Sequence, residues 1–265
     1  MSHNREHAVI LAAGRGERLK AYTNYAPKSL VHVAGVPLIN RIMESLHKSA
    51  GVRRFFVATG YRAKHLSLLE PPKDCEVHLV ENKKWEQSHS MLSLALCMDY
   101  LNNGGFVVQA NCCFDEKIID CINDDRGVSR WLVQPFALED MGECLRANES
   151  GVIRRLSVEK PGSRFVHQST VRLKELKRKK KFEREEKFET AWKSCGVMHL
   201  IAETAWDLER WLKDAIRERR ENESFERIIC ENLEAAQMHI ADIGKARFQR
   251  IESEEDLKRA EDIFG

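Results

Sequence analysis

Leu11-Ala12-Ala13-Gly14-Arg15-Gly16-Glu17-Arg18 follows directly on the apolar run Ala8-Val9-Ile10, and Pro27-Lys28 comes nine residues after its last arginine. Small residues at the end of a strand let backbone N–H groups come close to a phosphate chain, and Arg18 and Lys28 can neutralise it. The string is no P-loop, because no Gly-Lys-Ser/Thr follows, and no dinucleotide fingerprint, because the third glycine is missing. A bare Gly-x-Gly is often only a strand-to-helix turn; the whole string with Pro-Lys behind it is far more specific.

Outward from this loop, short β-branched and aromatic runs alternate with helical patterns. Strands are expected over 8–12, 54–59, 76–80 and 106–109, and helices over 38–49 and 91–101. This rhythm predicts βαβ units and a mainly parallel sheet. Leu38, Ile42 and Leu46 share one helix face, as do Met91, Leu94, Ala95, Met98 and Leu101, and such stripes are core. From Arg130 the texture becomes strand-like, at 130–136, 143–147 and 152–158, with Asn148, Ser150 and Gly151 marking a hairpin turn. A strand over 197–201, helices over 205–219 and 223–236, and a strand near Phe248 follow. A last helix spans 254–264, with Ser253 as its N-cap and an acidic first turn. The expected fold class is α/β: a Rossmann-like, mainly parallel central sheet flanked by helices, with an antiparallel portion in the second half.

The 265 residues are enough for a sizeable core, and 43% hydrophobic against 32% charged residues excludes disorder throughout. Eight cysteines in such a chain are no disulfide framework, and the absence of Cys-x-x-Cys argues against structural zinc. No apolar run approaches a membrane span, and the start lacks a signal sequence, so a reducing cytoplasm is the expected compartment. The net charge of +2 is too small for the field of a dedicated nucleic-acid binder. Residues 172–187 nevertheless carry nine basic and four acidic side chains, so the remainder, 34 basic against 37 acidic, sums to −3. That run reads as a solvated helix or mobile insertion, with binding of nucleic acid or an acidic partner as the lesser reading.

The motifs together resemble the nucleotidyltransferases of the glycosyltransferase-A-like fold, which include sugar-phosphate pyrophosphorylases and phosphocholine and inositol-phosphate cytidylyltransferases. Leu11 to Arg18 and Pro27-Lys28-Ser29-Leu30 match the signature, and Val33 to Leu38 its continuation. Val158-Glu159-Lys160-Pro161, Cys195-Gly196-Val197 and the ending from Arg250 to Glu261, similar to "e-I-D-t-x-e-D-L-x-x-A-e", extend the likeness over nearly the whole chain. The resemblance implies one domain over 1–265, with a nucleotide-binding half to about residue 125 and an acceptor-binding half beyond it. It implies that Leu11, Ala12, Ala13, Gly14 and Gly16 line the nucleotide and that Arg18 and Lys28 contact its phosphates. Lys160 would bind the incoming phosphate, or else is an exposed hairpin lysine. The partners are a nucleoside triphosphate and a small phosphorylated acceptor, the cofactor Mg²⁺, and a homodimer is one possible assembly.

The sequence departs from the family at the metal. The resemblance makes Asn111 and Glu252 the expected Mg²⁺ ligands: Asn111 stands where a Gly-Asp aspartate is expected, and its amide oxygen can still ligate but brings no charge, while Glu252 stands where the ending has Asp and keeps the charge with a longer reach. Asp115 and Asp242 lie near these motifs in sequence and could compensate. In the Asn-x-x-Ser-Leu element of the cytidylyltransferase branch, Ser93-Leu94 fit, while His89 and Ser90 replace asparagines. His89 and Ser90 either contact base or acceptor or, with Ser88, cap the helix. This branch favours CTP as donor. A sugar-1-phosphate nucleotidyltransferase, suggested by Glu159-Lys160-Pro161, is one alternative, and a non-catalytic nucleotide-binding relative, suggested by Asn111, is the other.

Overall fold

A computed structural model describes residues 6–122, 127–137, 142–159 and 190–265. The first half contains β1 (His7–Leu11), β2 (His32–Val33), β3 (Val36–Pro37), α1 (Leu38–Ala50), β4 (Arg54–Thr59), β5 (Glu76–Glu81), α2 (Ser90–Ala95), β6 (Gly105–Gln109), β7 (Cys112–Phe114) and α3 (Lys117–Asp120). The second contains β8 (Arg130–Pro135), β9 (Gly142–Ala147), β10 (Ile153–Glu159), β11 (Thr190–Leu200), α4 (Ala202–Arg217), α5 (Phe225–Glu231), α6 (Leu233–Ala236), β12 (His239–Asp242), β13 (Phe248–Arg250) and α7 (Glu254–Phe264).

Central strand β1, buried at Ala8, Val9 and Ile10, pairs in parallel with β4 on one side and β6 on the other, and β4 pairs in parallel with β5. Crossing from β6 the sheet turns antiparallel. β11 pairs with β6, β8 and β9, and β9 with β10 through the turn at Asn148, whose Oδ1 accepts from Ser150 N–H and Val152 N–H. The α/β class with its antiparallel second half is therefore what the chain adopts. Each face of the sheet has its own core. Met91, Leu94, Met98, Leu208 and Ile229 pack on one face, and Ile39, Ile42, Met43, Leu46 and Ile118 on the other. α1 ends at Gly51, whose φ of 71° suits a residue without Cβ.

Three expected elements differ. The helix over 91–101 is broken: α2 stops at Ala95, and Met98–Leu101 forms a 3-10 turn that keeps Met98 and Leu101 buried. The helix over 223–236 is interrupted at Asn232, whose side chain donates to the Ile228 carbonyl and competes with the backbone ladder. β11 starts seven residues earlier than the 197 expected, because its first half is polar and interrupted by a register shift between Ser194 and Met198, where Gly196 has a φ of 70°.

A third, smaller core positions the site. Leu19, Val31 and Val33 from the segment after the glycine loop pack against Ile251, Leu257, Ala260 and Phe264. β13 also pairs antiparallel with β7, setting Arg250 opposite Cys112, and Ile251 N–H donates to the Asn111 carbonyl at 2.8 Å. The end of the chain is thereby fastened beside the loop near its start.

Candidate active site

The carboxyl ends of β1 and β6 open onto a pocket of about 410 Å³, the usual ligand position in a parallel sheet. Backbone bonds shape the loop: Ala12 N–H donates to the Ala58 carbonyl, and the Ala13 carbonyl accepts from Tyr61 N–H, both at 2.9 Å. Gly16 has a φ of 74°, and a Cβ there would lie 2.6 Å from Lys28 Cδ. The glycine thus serves backbone conformation and the close passage of the lysine stem together. Lys28 sits on a 3-10 turn, Lys28–Leu30, with its side chain only 13% exposed, whereas Arg18 is 73% exposed. Burial lowers the Lys28 pKa, opposed by the Glu252 carboxylate beside it.

Glu252 is the hub of the charged wall. Its Oε2 accepts from Arg18 and, at 3.5 Å, from Lys28; its Oε1 accepts from Arg250 Nε at 3.1 Å and from Asn111 Nδ2 at 2.5 Å. Burial works against ionisation, but Lys28, Arg250 and Arg18 overrule it and hold the carboxyl below the ordinary range. The capping box of α7 fixes its backbone, because Asp256 Oδ2 accepts from both Glu252 N–H and Ser253 N–H.

Mg²⁺ fits this donor set poorly. Asn111 turns its NH₂ toward Glu252 at 2.5 Å, while the Cys112 thiol beside it donates to the Cys195 carbonyl at 3.0 Å. A hard dication wants several oxygens free of cations, whereas the single carboxylate here has both oxygens engaged, three of its four partners being cations. Asp115 and Asp242 do not compensate. Asp115 is paired with Arg247 at 2.8 Å, Asp242 accepts from Gly244 N–H, and neither lines the pocket.

The opposite wall is built around buried Asn82, which the sequence did not single out. Its Nδ2 donates to Ser88 and Ser93 hydroxyls, each at 3.0 Å, and its Oδ1 accepts from Lys84 N–H. Trp85 closes this side and packs against Gly60, where a Cβ would lie 2.5 Å from Trp85 Cβ. His89 occupies the N-cap position of α2, yet no side chain bonds the free N–H groups of that helix. Instead His89 Nδ1 lies 3.1 Å from Ser90 Oγ, and Ser90 Oγ accepts from Phe225 N–H. The capping alternative is thus corrected: Ser88 is spent on Asn82 and Lys84, and His89 and Ser90 face the pocket.

A second cavity of about 560 Å³ adjoins the first and shares His89, Gln109 and Arg250 with it. Trp131, Glu143, Glu223 and Glu226 line its far side. Glu226 is buried, its Oε1 accepts from Gln109 Nε2, and its Oε2 has no partner within hydrogen-bond distance among the described residues. Burial, added to by Glu143 and offset in part by Arg250, raises its pKa to about 7. The Gln109 carbonyl accepts from Arg250, so one chain of contacts runs Glu226, Gln109, Arg250, Glu252 and on to Arg18 and Lys28.

Leu11, Ala12, Ala13, Gly14, Gly16, Arg18, Lys28, His89, Ser90, Ser93, Asn111 and Glu252 all line the first pocket, so residues read from five separate stretches converge. Lys160, its neighbour Pro161 and the basic run 172–187 lie outside the described residues. Gln109, Arg250 and Glu226 were missed, and only Arg250 carried a signal, being next but one to Glu252 in a recognised ending.

Residues 8–112 match the MobA-like NTP transferase domain. Among similar curated proteins is a 2-aminoethylphosphonate cytidylyltransferase of Lancefieldella rimae, 29% identical over 55% of this chain and 61% of that protein. A choline-phosphate cytidylyltransferase of Haemophilus influenzae is 31% identical over 42% of this chain and 46% of that protein. The chain thus spans about half the length of these curated relatives. Among solved structures, CTP:phosphocholine cytidylyltransferase of Streptococcus pneumoniae superposes with a TM-score of 0.75 at 20% identity, covering 99% of this chain and all of that one. UDP-glucose pyrophosphorylase superposes with 0.71 at 16%. The nucleotidyltransferase fold expected from the motifs is borne out by these structures, and the likeness of the first half by the match over residues 8–112.

Proposed function

We propose that the chain is a cytoplasmic nucleotidyltransferase that moves a nucleotidyl group, CMP from CTP, onto a small phosphorylated or phosphonate acceptor. The observation carrying this reading is the pair of adjoining cavities, a glycine-lined cradle with Arg18 and Lys28 and an acid-lined chamber, meeting at Arg250 and Gln109. The acceptor oxygen attacks the α-phosphorus, a new P–O–P link forms, and the α–β bridging bond breaks with its electron pair leaving on pyrophosphate. No side-chain nucleophile is needed. The cradle N–H groups, Arg18 and Lys28 hold the leaving pyrophosphate, and Arg250 faces the oxygens where charge builds, so preorganised cations lower the barrier. Lys160 is assigned the acceptor phosphate, on resemblance alone.

CTP is favoured by the activities of the relatives, and Ser93, held in place by Asn82, and Trp85 offer the base a hydroxyl and a ring face. Glu223 is already paired with Arg220 and with Arg227, which lines the same cavity, but Glu143, Glu226 and Trp131 favour an acceptor whose far end is cationic, since carboxylates and an indole face attract ammonium groups. That separates this reading from a sugar-1-phosphate acceptor, which has no such charge. The test is pyrophosphate release from each of the four NTPs against phosphocholine, aminoethylphosphonate, inositol phosphate and glucose 1-phosphate. Turnover with CTP and an aminated acceptor is expected; turnover confined to sugar phosphates, or none with any pair, overturns the reading.

A further inference from the structure

The charged wall holds more positive charge than a metal-assisted site needs. Arg18, Lys28 and Arg250 surround one carboxylate, Glu252, so three positive charges less one negative leave +2. A free nucleoside triphosphate carries about −4 near neutral pH, and its magnesium complex about −2. The free anion gains more from this field, and a dication entering it meets three cations of the same sign.

Arg250 is the decisive residue. Arg250 Nε and Asn111 Nδ2 bind the same Glu252 oxygen, so a guanidinium and an amide donor, neither bringing negative charge, occupy the face of the carboxylate that a dication would need. Arg250 is held from the other side by the Gln109 carbonyl, itself anchored to Glu226, so its head is fixed where the two cavities join. Preorganisation of that kind, in a rigid fork suited to phosphate oxygens, is what a bound ion would otherwise supply.

We propose that this cradle takes nucleoside triphosphate as the free anion, without a divalent ion at Asn111 and Glu252, and that Arg250 is the resident cation in its place. Incoming phosphate oxygens take over Arg18 and Lys28 from Glu252, which stays paired with Arg250 and Asn111. This rests on the first pocket being the nucleotide site, as proposed above.

Titration calorimetry of CTP into the intact chain, in EDTA and in saturating Mg²⁺, reads the inference without turnover. The dissociation constant in EDTA should be within about threefold of that in Mg²⁺, or tighter. Arg250→Gln should weaken binding at least about tenfold in both media, with Arg250→Lys recovering part of it and reporting that the fold tolerates the position. The double variant Asn111→Asp, Arg250→Glu should bind about tenfold more tightly with Mg²⁺ than with EDTA. Wild-type binding that is lost in EDTA and present in Mg²⁺ overturns this inference and leaves the nucleotide site standing. Absence of CTP, ATP, GTP and UTP binding in both media overturns the proposed function, and this inference with it.

Discussion

Replacing Glu226 by glutamine removes one titrating proton from a buried site while nearly preserving its shape. The Glu226 pKa is raised to about 7 from the ordinary 4.5, by burial first, with Glu143 adding and Arg250, the helix backbone and the Ser224 hydroxyl opposing. The native state therefore holds the proton more tightly than the unfolded chain. The group's contribution to stability is full below about pH 4.5, falls as pH rises, and is lost once pH passes about 7. Each pKa unit is worth about 1.4 kcal/mol, so the span amounts to about 3 kcal/mol. Glutamine keeps the bond from Gln109 and does not titrate. The stability of the variant relative to wild type should thus climb by about 2.5 kcal/mol between pH 5 and pH 8, roughly 5–10 °C in midpoint for a chain of this size. Denaturant unfolding followed by circular dichroism at both pH values reads this difference. Parallel pH profiles of the two proteins would refute the reasoning, since every other titrating group is shared. A cationic acceptor bound beside Glu226 would favour its carboxylate, so phosphocholine should stabilise wild type more at pH 8 than at pH 5.

Gly16→Ala should cost about 1–2 kcal/mol for the left-handed backbone and also push the Lys28 stem aside, so calorimetry should show CTP affinity falling along with the melting temperature. Asn82→Ala leaves Ser88, Ser93 and Lys84 N–H short of a partner and should lower stability by about 1–3 kcal/mol in denaturant unfolding. Ser253→Ala removes the acceptor at the head of α7 and should cost about 1 kcal/mol, with Glu252 less firmly placed and CTP binding weakened modestly.

The glycine loop was legible because its requirement is local. A strand end, a left-handed Gly16 and two cations are written in consecutive or nearly consecutive residues. The βαβ rhythm and the hairpin at Asn148 were legible for the same reason, since periodicity and turn chemistry act over a few residues. Glu226 was not, because an acidic residue in the first turn of α5 reads as ordinary helix dressing. Only the packing of α5 against the sheet removes it from water and aims it at Gln109. Arg250 looked like one more charge in the terminal motif until β13 paired with β7 and brought it between the two cavities. Asn82 hid in Glu81-Asn82-Lys83-Lys84, a solvent-type sequence whose one buried member is decided by Ser93, eleven residues on. The helix at Asn232 failed for a local reason that patterning underrates, a side-chain amide competing for the Ile228 carbonyl.

Phosphorus NMR of the chain mixed with CTP and either phosphocholine or aminoethylphosphonate tests most directly whether nucleotidyl transfer takes place between the two joined cavities. A new pyrophosphate-linked CDP or CMP-phosphonate product is expected in equal amount with inorganic pyrophosphate, both abolished by Lys28→Met. Release of inorganic phosphate without that product, or unchanged CTP with every aminated acceptor, would contradict it.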